Sequence, residues 1–379
     1  MIVFQRHCQS FRGVLSWISV SNLYSIQFRA HLLEKLEVIA GSRASWSETG
    51  DASGWDEFVV RNKGSIFHLW SWRKVLEGDH SKPFYLVCRD HSDRILAVCP
   101  FICVSGRRLQ YLDSLPESQM AGPVVGLRHS NMAQIMASLP KSIGFSPFSP
   151  IIAMRIRVHQ PPIVESLRSL EFQYAQRYGL LLLDLQARTP EHIWSNGFQK
   201  HDRQAVKYFD QRGATFGFAE SRSEHLEYLA LEGDSPENKA AHLDLLSRMR
   251  LNLGDRFKVS RVRLDGRTIM GSTLLLDSVT STLHIMKHLS FRYREQNAPM
   301  KAMHSLSTFA FWNVVKWAKE NGFRYVDFGS YSRDLDSDPR HISSKLRERF
   351  ETQFVPSYDF VIPTHGTAFS IARKIHRVL

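Results

Sequence analysis

Residues 259–331, VSRVRLDGRTIMGSTLLLDSVTSTLHIMKHLSFRYREQNAPMKAMHSLSTFAFWNVVKWAKENGFRYVDFGSY, decide the fold. Two apolar runs, 259–264 and 269–276, meet at Asp265-Gly266. Asp-Gly between such runs marks a two-residue hairpin, because both positions tolerate positive φ. A third strand carries HIMKH at 284–288, and a loop then closes at Pro299. From there to Asn321, apolar residues recur at Met303, Leu306, Ala310, Val314 and Trp317, spacings of three and four that share one helical face. Proline at the start and Gly322 past the end are helix stop signals. The run 323–328, FRYVDF, is short, aromatic and β-branched, so it reads as a strand. Its Asp327 falls at the carboxyl end, where sheets of this class bind ligands.

Working outward, residues 55–78 read as helix, turn and helix, and 83–104 as a hairpin around Ser92-Asp93. Residues 109–126, with Pro116, Gly122 and Pro123, read as irregular connections. A helix at 131–139, a strand at 151–158, a helix at 162–168 and the strand LLLLDL at 180–185 close a first half. A second series has a helix from 189 to 211, a strand at 214–218, helices from 223 to 250, and then the opening stretch. The fold class is therefore α/β (α+β), in two tandem halves that each hold a mixed sheet flanked by helices. The divisions fall at 1–45 (an N-terminal extension), 46–188, 189–365 and 366–379 (a C-terminal amphipathic helix).

Composition bounds the function. At 379 residues and 43% hydrophobic, the chain has room for two domains and is not a disordered type. Its 49 Lys+Arg against 37 Asp+Glu give +12, which suits a polyanionic partner and equally serves solubility. The four cysteines show no CxxC spacing, and a reduced, cytoplasmic setting is expected. Apolar runs fall short of the roughly 18 to 20 residues of a spanning helix. Before Glu34 the chain has arginines and no acid, as in a transit peptide or a loosely attached extension. No Ser-His-Asp, Walker or zinc-ligand arrangement occurs.

Six short pieces together resemble the GNAT superfamily, and within it the FemAB-like branch of peptidoglycan-bridge aminoacyltransferases. They are SIFHLWSWRKVL, GFQKHDRQAVKYFDQRGATF, RLDGRTIMGSTLLL, LHIMKHLSFRYREQNAPMKAM, FRYVDFGS and KLRERFETQFVP, spanning about residues 50 to 360. The resemblance implies two GNAT-like halves and amide-bond formation, an amine attacking an acyl group carried by acyl-CoA or aminoacyl-tRNA, with no metal. It also implies an acceptor amine on a sugar or cell-envelope precursor. Relatives usually close with Phe-Lys and then Phe-Gly; here those positions read Leu346-Arg347 and Phe350-Glu351. A lysine that grips a nucleotide phosphate in bridge-forming members is replaced by Leu76, and residues 292–299 contain no glycine for a pyrophosphate loop.

Amide formation needs alignment of amine and carbonyl, donors for the oxyanion, and a proton acceptor. Asp327 is the candidate for orienting the amine, or else caps the following loop. His288 is the candidate proton acceptor, its unperturbed pKa lying near neutrality, and Lys287 the alternative group facing the cleft. Arg347 is the candidate for charge stabilisation. His284 and His288 do not form a metal pair, since strand residues four apart are about 13 Å apart. Lys200, Arg203 and Lys207 share a helix face that can hold phosphates of tRNA or a nucleotide, or be merely solvated. Arg333 adds a second basic group, and Tyr331 either donates to a carbonyl or packs. His68, beside Trp70 and Trp72, either meets substrate or locks the first helix. The helix from 367 to 379 either touches an acidic bilayer or docks on the protein. A different class, a non-catalytic module binding nucleic acid or a partner enzyme, is motivated by the altered closing pairs.

Overall fold

The computed structural model describes residues 45–77, 81–105, 110–114, 122–126, 132–142, 151–170, 173–231, 236–290, 300–331 and 350–363. The chain divides into two compact units, residues 1–176 with 357–379, and residues 177–356.

Unit 1 begins with β1 (Ser45–Glu48), α1 (Trp55–Arg61), a 3-10 turn (Ile66–His68) and α2 (Trp70–Leu76). The hairpin β2 (Ser81–Arg89) and β3 (Ile95–Ser105) follows, turned by Asp93 at φ 62°. Next come β4 (Gln110–Asp113), the two-residue β5 (Val124–Val125), α3 (Met132–Ser142), β6 (Ile151–Val158) and α4 (Pro161–Ser169). Sequence reasoning left 109–126 irregular, yet β4 sits between β3 and β6. Four residues are too few to show a periodicity, and partners distant in sequence make them a strand. One sheet face buries Leu112, Met154, Ile156 and Phe360 with Ile135, Met136, Ile163 and Leu167 of α3 and α4.

β7 (Gln173–Asp184) leads into unit 2. After a turn at Pro190–His192 and a π-helical turn at Ile193–Gly197 come α5 (Lys200–Gln211), β8 (Thr215–Phe218), α6 (Arg222–Ala230) and α7 (Pro236–Leu253). The deciding stretch then gives β9 (Phe257–Leu264), β10 (Arg267–Asp277), β11 (Thr282–Ser290), α8 (Met300–Glu320) and β12 (Tyr325–Tyr331). Asp265 and Gly266, at φ 50° and 75°, make the expected hairpin turn. α8 is buried more widely than one stripe, with Leu306, Phe309, Ala310, Phe311, Trp312, Val314, Val315 and Ala318 all in the core. The last strand, β13 (Gln353–Pro363), follows β12.

The halves repeat one plan. In unit 1 the strands run β1-β2-β3-β4-β6-β13, and in unit 2 β8-β9-β10-β11-β12-β7. In each, the fourth and fifth strands are parallel (β4 with β6, β11 with β12). The closing strands are exchanged. β7, which follows the first-half helices and was expected to close that half, pairs antiparallel with β12 through Tyr325↔Asp184 and Asp327↔Leu182. β13, expected in the second half, pairs antiparallel with β6 through Tyr358↔Val158 and Phe360↔Ile156. Residues 1–44 and the helix expected at 367–379 lie outside the described residues.

Candidate functional site

The site builds from the parallel pair of unit 2. Among the described residues, β11 and β12 are in register over three rungs, Thr282↔Tyr325, Leu283↔Val326 and His284↔Asp327. Beyond them β11 follows β10 to Met270↔Ser290, while β12 follows β7 to Tyr331↔Gly179. The ladder between them ends toward their carboxyl ends, which is where ligands enter sheets with such a reversal of direction. Irregularities accompany the parting. Thr273↔Lys287 is followed by Leu274↔Ile285, so Met286 is an extra residue on β11, and the β12–β7 register shifts between Asp327 and Ser330. Gly329 takes φ +85°, and a Cβ there would lie 3.3 Å from the Ile285 carbonyl oxygen.

A bulge re-aims the side chains that follow it. Because of Met286, Lys287 falls on the face of His284 and His288 on that of Ile285, the reverse of what an unbroken strand would give. The half-buried His288 stands over Phe311 of α8, ring centroids 4.4 Å apart, and its Nδ1 is 2.7 Å from the Ser272 hydroxyl on β10. Lys287 reaches the other face, where Nζ lies 3.2 Å and 3.3 Å from the ring nitrogens of His242 on α7. The Lys287 carbonyl accepts from Tyr228 of α6 at 3.3 Å and from Thr273 at 3.4 Å. Gly271 makes room for Tyr228, since a Cβ there would meet its ring at 2.7 Å.

At the closed end of the wedge lies a buried charged triad. His284 is 1% exposed, with Nδ1 2.9 Å from Asp327 Oδ2 and Nε2 3.5 Å from Asp277 Oδ2. Burial disfavours the imidazolium, but hydrogen bonds to Asp277 and Asp327 and the charges of both outweigh it, raising the His284 pKa to about 9. Asp277 also accepts from the backbone N–H groups of Val279 and Thr280 and from the Thr280 hydroxyl, at 2.7 to 3.3 Å.

The triad puts Asp327 in the second of its two expected positions, the cap of the following loop. Its carboxylate is 6% exposed, with one oxygen on His284 and the other accepting the Gly329 N–H at 2.8 Å. It caps its own loop and holds the charge of its neighbour. Of the basic row, Lys200 and Lys207 are exposed on α5. Arg203 turns inward and donates to the carbonyls of Trp194, at 3.1 Å, and Phe198, which the short helical turns before α5 leave in need of donors. Tyr331 ends β12, while Arg333 and Arg347 lie outside the described residues.

His68, in unit 1, is 2% exposed and takes the position of the second of its two readings, the lock on the first helix. Its Nδ1 accepts the Ser65 N–H at 3.0 Å, which puts the proton on Nε2, 3.0 Å from the Gly122 carbonyl. Gly122 has φ +110°, and a Cβ there would stand 2.4 Å from the Arg157 carbonyl oxygen. The ring therefore latches the first helices to the segment before β5.

The closing pair is also visible. Phe350 is fully buried against Phe198 and Phe328, centroids 5.0 and 5.2 Å away. Glu351 adopts φ +55° and bonds Arg188 at 2.6 Å and His192 at 3.1 Å.

Sequence reasoning missed Ser272, Asp277, His242 and Tyr228, and gave His284 no role. Asp277 and Thr282 are paired across the β10–β11 turn, so polar groups inside apolar strands at a tight hairpin were the available signal. The described residues contain no cluster of metal-ligating groups and no helix long and apolar enough to cross a membrane.

No family model matches the chain, and no curated protein does. Solved structures do. FemX superposes with a TM-score of 0.61 at 13% identity, covering 86% of this chain and all of that one. The L-PGS structure from Bacillus licheniformis gives 0.54 at 11% identity over 86% of this chain and 98% of that one. A tandem GNAT protein from the clavulanic acid biosynthesis pathway gives 0.53 at 9% over 85% and 99%. The chain has the tandem GNAT, FemAB-like fold. In this fold's second half the parted strands, the bulge and the charged triad stand together.

Proposed function

We propose that this protein is an N-acyltransferase, moving an acyl or aminoacyl group from acyl-CoA or aminoacyl-tRNA to an amine on a sugar or cell-envelope precursor. The observation that carries the reading is the parting of β11 and β12 beyond His284↔Asp327, with Lys287 and His288 turned to its two faces. Past that rung, the β11 edge that faced β12 is out of ladder with it among the described residues. Backbone donors and acceptors there suit an extended, amide-bearing arm, as in strand addition.

In the reaction, the amine nitrogen bonds to the acyl carbon. The carbon–sulfur or carbon–oxygen ester bond breaks, the thiolate or ribose alkoxide leaves, and the proton lost by the amine passes to a base and from it to the leaving atom. His288, oriented by Ser272, is the base in this reading. Asp327 acts on site geometry through His284. Arg347 balances the oxyanion charge. Lys200 and Lys207 meet an anionic donor, and Lys287, Tyr331 and Arg333 meet the acceptor.

The test is thermal stabilisation by acyl-CoAs, aminoacyl-tRNA and amino-sugar nucleotides, followed by mass analysis of products, since a ligand of the native state raises apparent stability. A shift with one donor class and an amide product supports the reading. No shift with any donor, together with RNA binding that weakens steeply with salt, would replace it with a non-catalytic nucleic-acid module.

A further inference from the structure

In both units the parallel ladder ends on a buried pair of opposite charges. Asp113↔Arg155 closes β4–β6, both side chains 1% exposed, and His284↔Asp327 closes the paired part of β11–β12. The charges are transposed, with the carboxylate on the first strand in one unit and on the second strand in the other. Different residues filling the same rung point to a mechanical requirement there, because an unmatched buried charge is costly and a matched one fixes register. In unit 1 the rung is backed by Arg157–Asp359 at 2.7 Å, and the Arg157 N–H donates to Ser114 Oγ at 2.8 Å. In unit 2 it is backed by Asp277, so one imidazole ring ties β10, β11 and β12 immediately before the strands part.

We propose that His284 is a positioning residue for the candidate site: as an imidazolium clamped by Asp277 and Asp327, it sets where β11 and β12 separate, and it makes that separation depend on a proton, as the arginine rung of unit 1 does not. The inference rests on the reading of the parted strands as the donor site. When the ring loses its proton, one bare nitrogen faces a carboxylate oxygen in a buried place, acceptor against acceptor. The ring then offers one N–H to two carboxylates, beside the backbone and hydroxyl donors that each already has. The same sheet face carries Lys287 beside His242, Tyr228 of α6, and Arg261 with Glu224 and Glu227. The raised pKa, about 9, puts the transition on the alkaline side of neutrality.

The experiment records the His284 ring resonances and the protection of the Leu283, Ile285 and Val326 amides between about pH 7 and 10, alongside the affinity for a CoA thioester. Expected is ring titration near 9, with a parallel loss of protection at these amides but not at Leu112 and Met154 of unit 1. Donor affinity should fall about tenfold, equivalent to 1.4 kcal/mol. His284→Gln should give one pH-independent level of protection and affinity. The proposal is overturned by ring titration near the ordinary histidine value, by protection that does not change with pH, or by a His284→Gln protein that keeps the pH dependence. Should that variant not fold, the wild-type ring and amide data decide alone. If no donor binds at any pH, the donor-site reading fails, while ring and amides still test the pin.

Discussion

Glu351→Gly and Glu351→Ala make opposite demands on the same backbone. Glu351 sits at φ +55°, where a side chain carrying Cβ costs roughly 1–2 kcal/mol. Glycine relieves that strain but gives back about 0.5–1 kcal/mol through the freedom of the unfolded chain. Both variants lose the bonds to Arg188 and His192, whose side chains are 44% and 40% exposed, so solvent screening holds each pair to about 0.5 kcal/mol. Glycine should therefore come out near wild type, within about 0.5 kcal/mol, and alanine about 1 kcal/mol below it. Urea unfolding followed by tryptophan fluorescence reads both midpoints, and equal slopes would show that the comparison is one of stability. Alanine matching or exceeding glycine would refute the argument, because the strain at this position would then not be real. This chain carries the acid at that position tied to Arg188 and His192.

Three further outcomes are expected. Because the folded His284 pKa is above its ordinary 6.5, its stabilisation is complete below that value and is lost as pH rises through about 9. The amount is on the order of 3 kcal/mol, read as a falling urea midpoint that His284→Gln should flatten. Arg155→Ala, which leaves Asp113 buried and alone, should cost about 3–5 kcal/mol, whereas the paired change Asp113→Leu with Arg155→Met should recover most of it; equal losses in the single and paired variants would count against the pair. His68→Ala should lower stability by about 2–3 kcal/mol, through the orphaned Gly122 carbonyl and the cavity, with the donor affinity of folded protein unchanged; a selective loss of affinity would return His68 to the substrate contacts.

Much of the second unit was legible because its signals are local. Asp265-Gly266 fixes a hairpin through backbone sterics alone, and the 21-residue α8 shows its period over five turns. Residues 110–113 were not legible as β4, nor was the partner of LLLLDL, because nothing within a strand names the strand beside it. The basic row on α5 was expected to share one face, yet Arg203 went to the carbonyls of Trp194 and Phe198, while Lys200 and Lys207 stayed exposed.

The sequence by itself determined the order and type of most elements and pointed to a duplicated plan and to a candidate region at 284–327, since periodicity, turn chemistry and apolar runs act over a few residues. Only the tertiary structure decided that β7 and β13 change places, that one extra residue at Met286 puts Lys287 on the face of His284 and His288 on the other, and that His284 joins Asp277 to Asp327. Each of these depends on register between strands far apart in the chain, and a shift of one residue turns every following side chain to the other face.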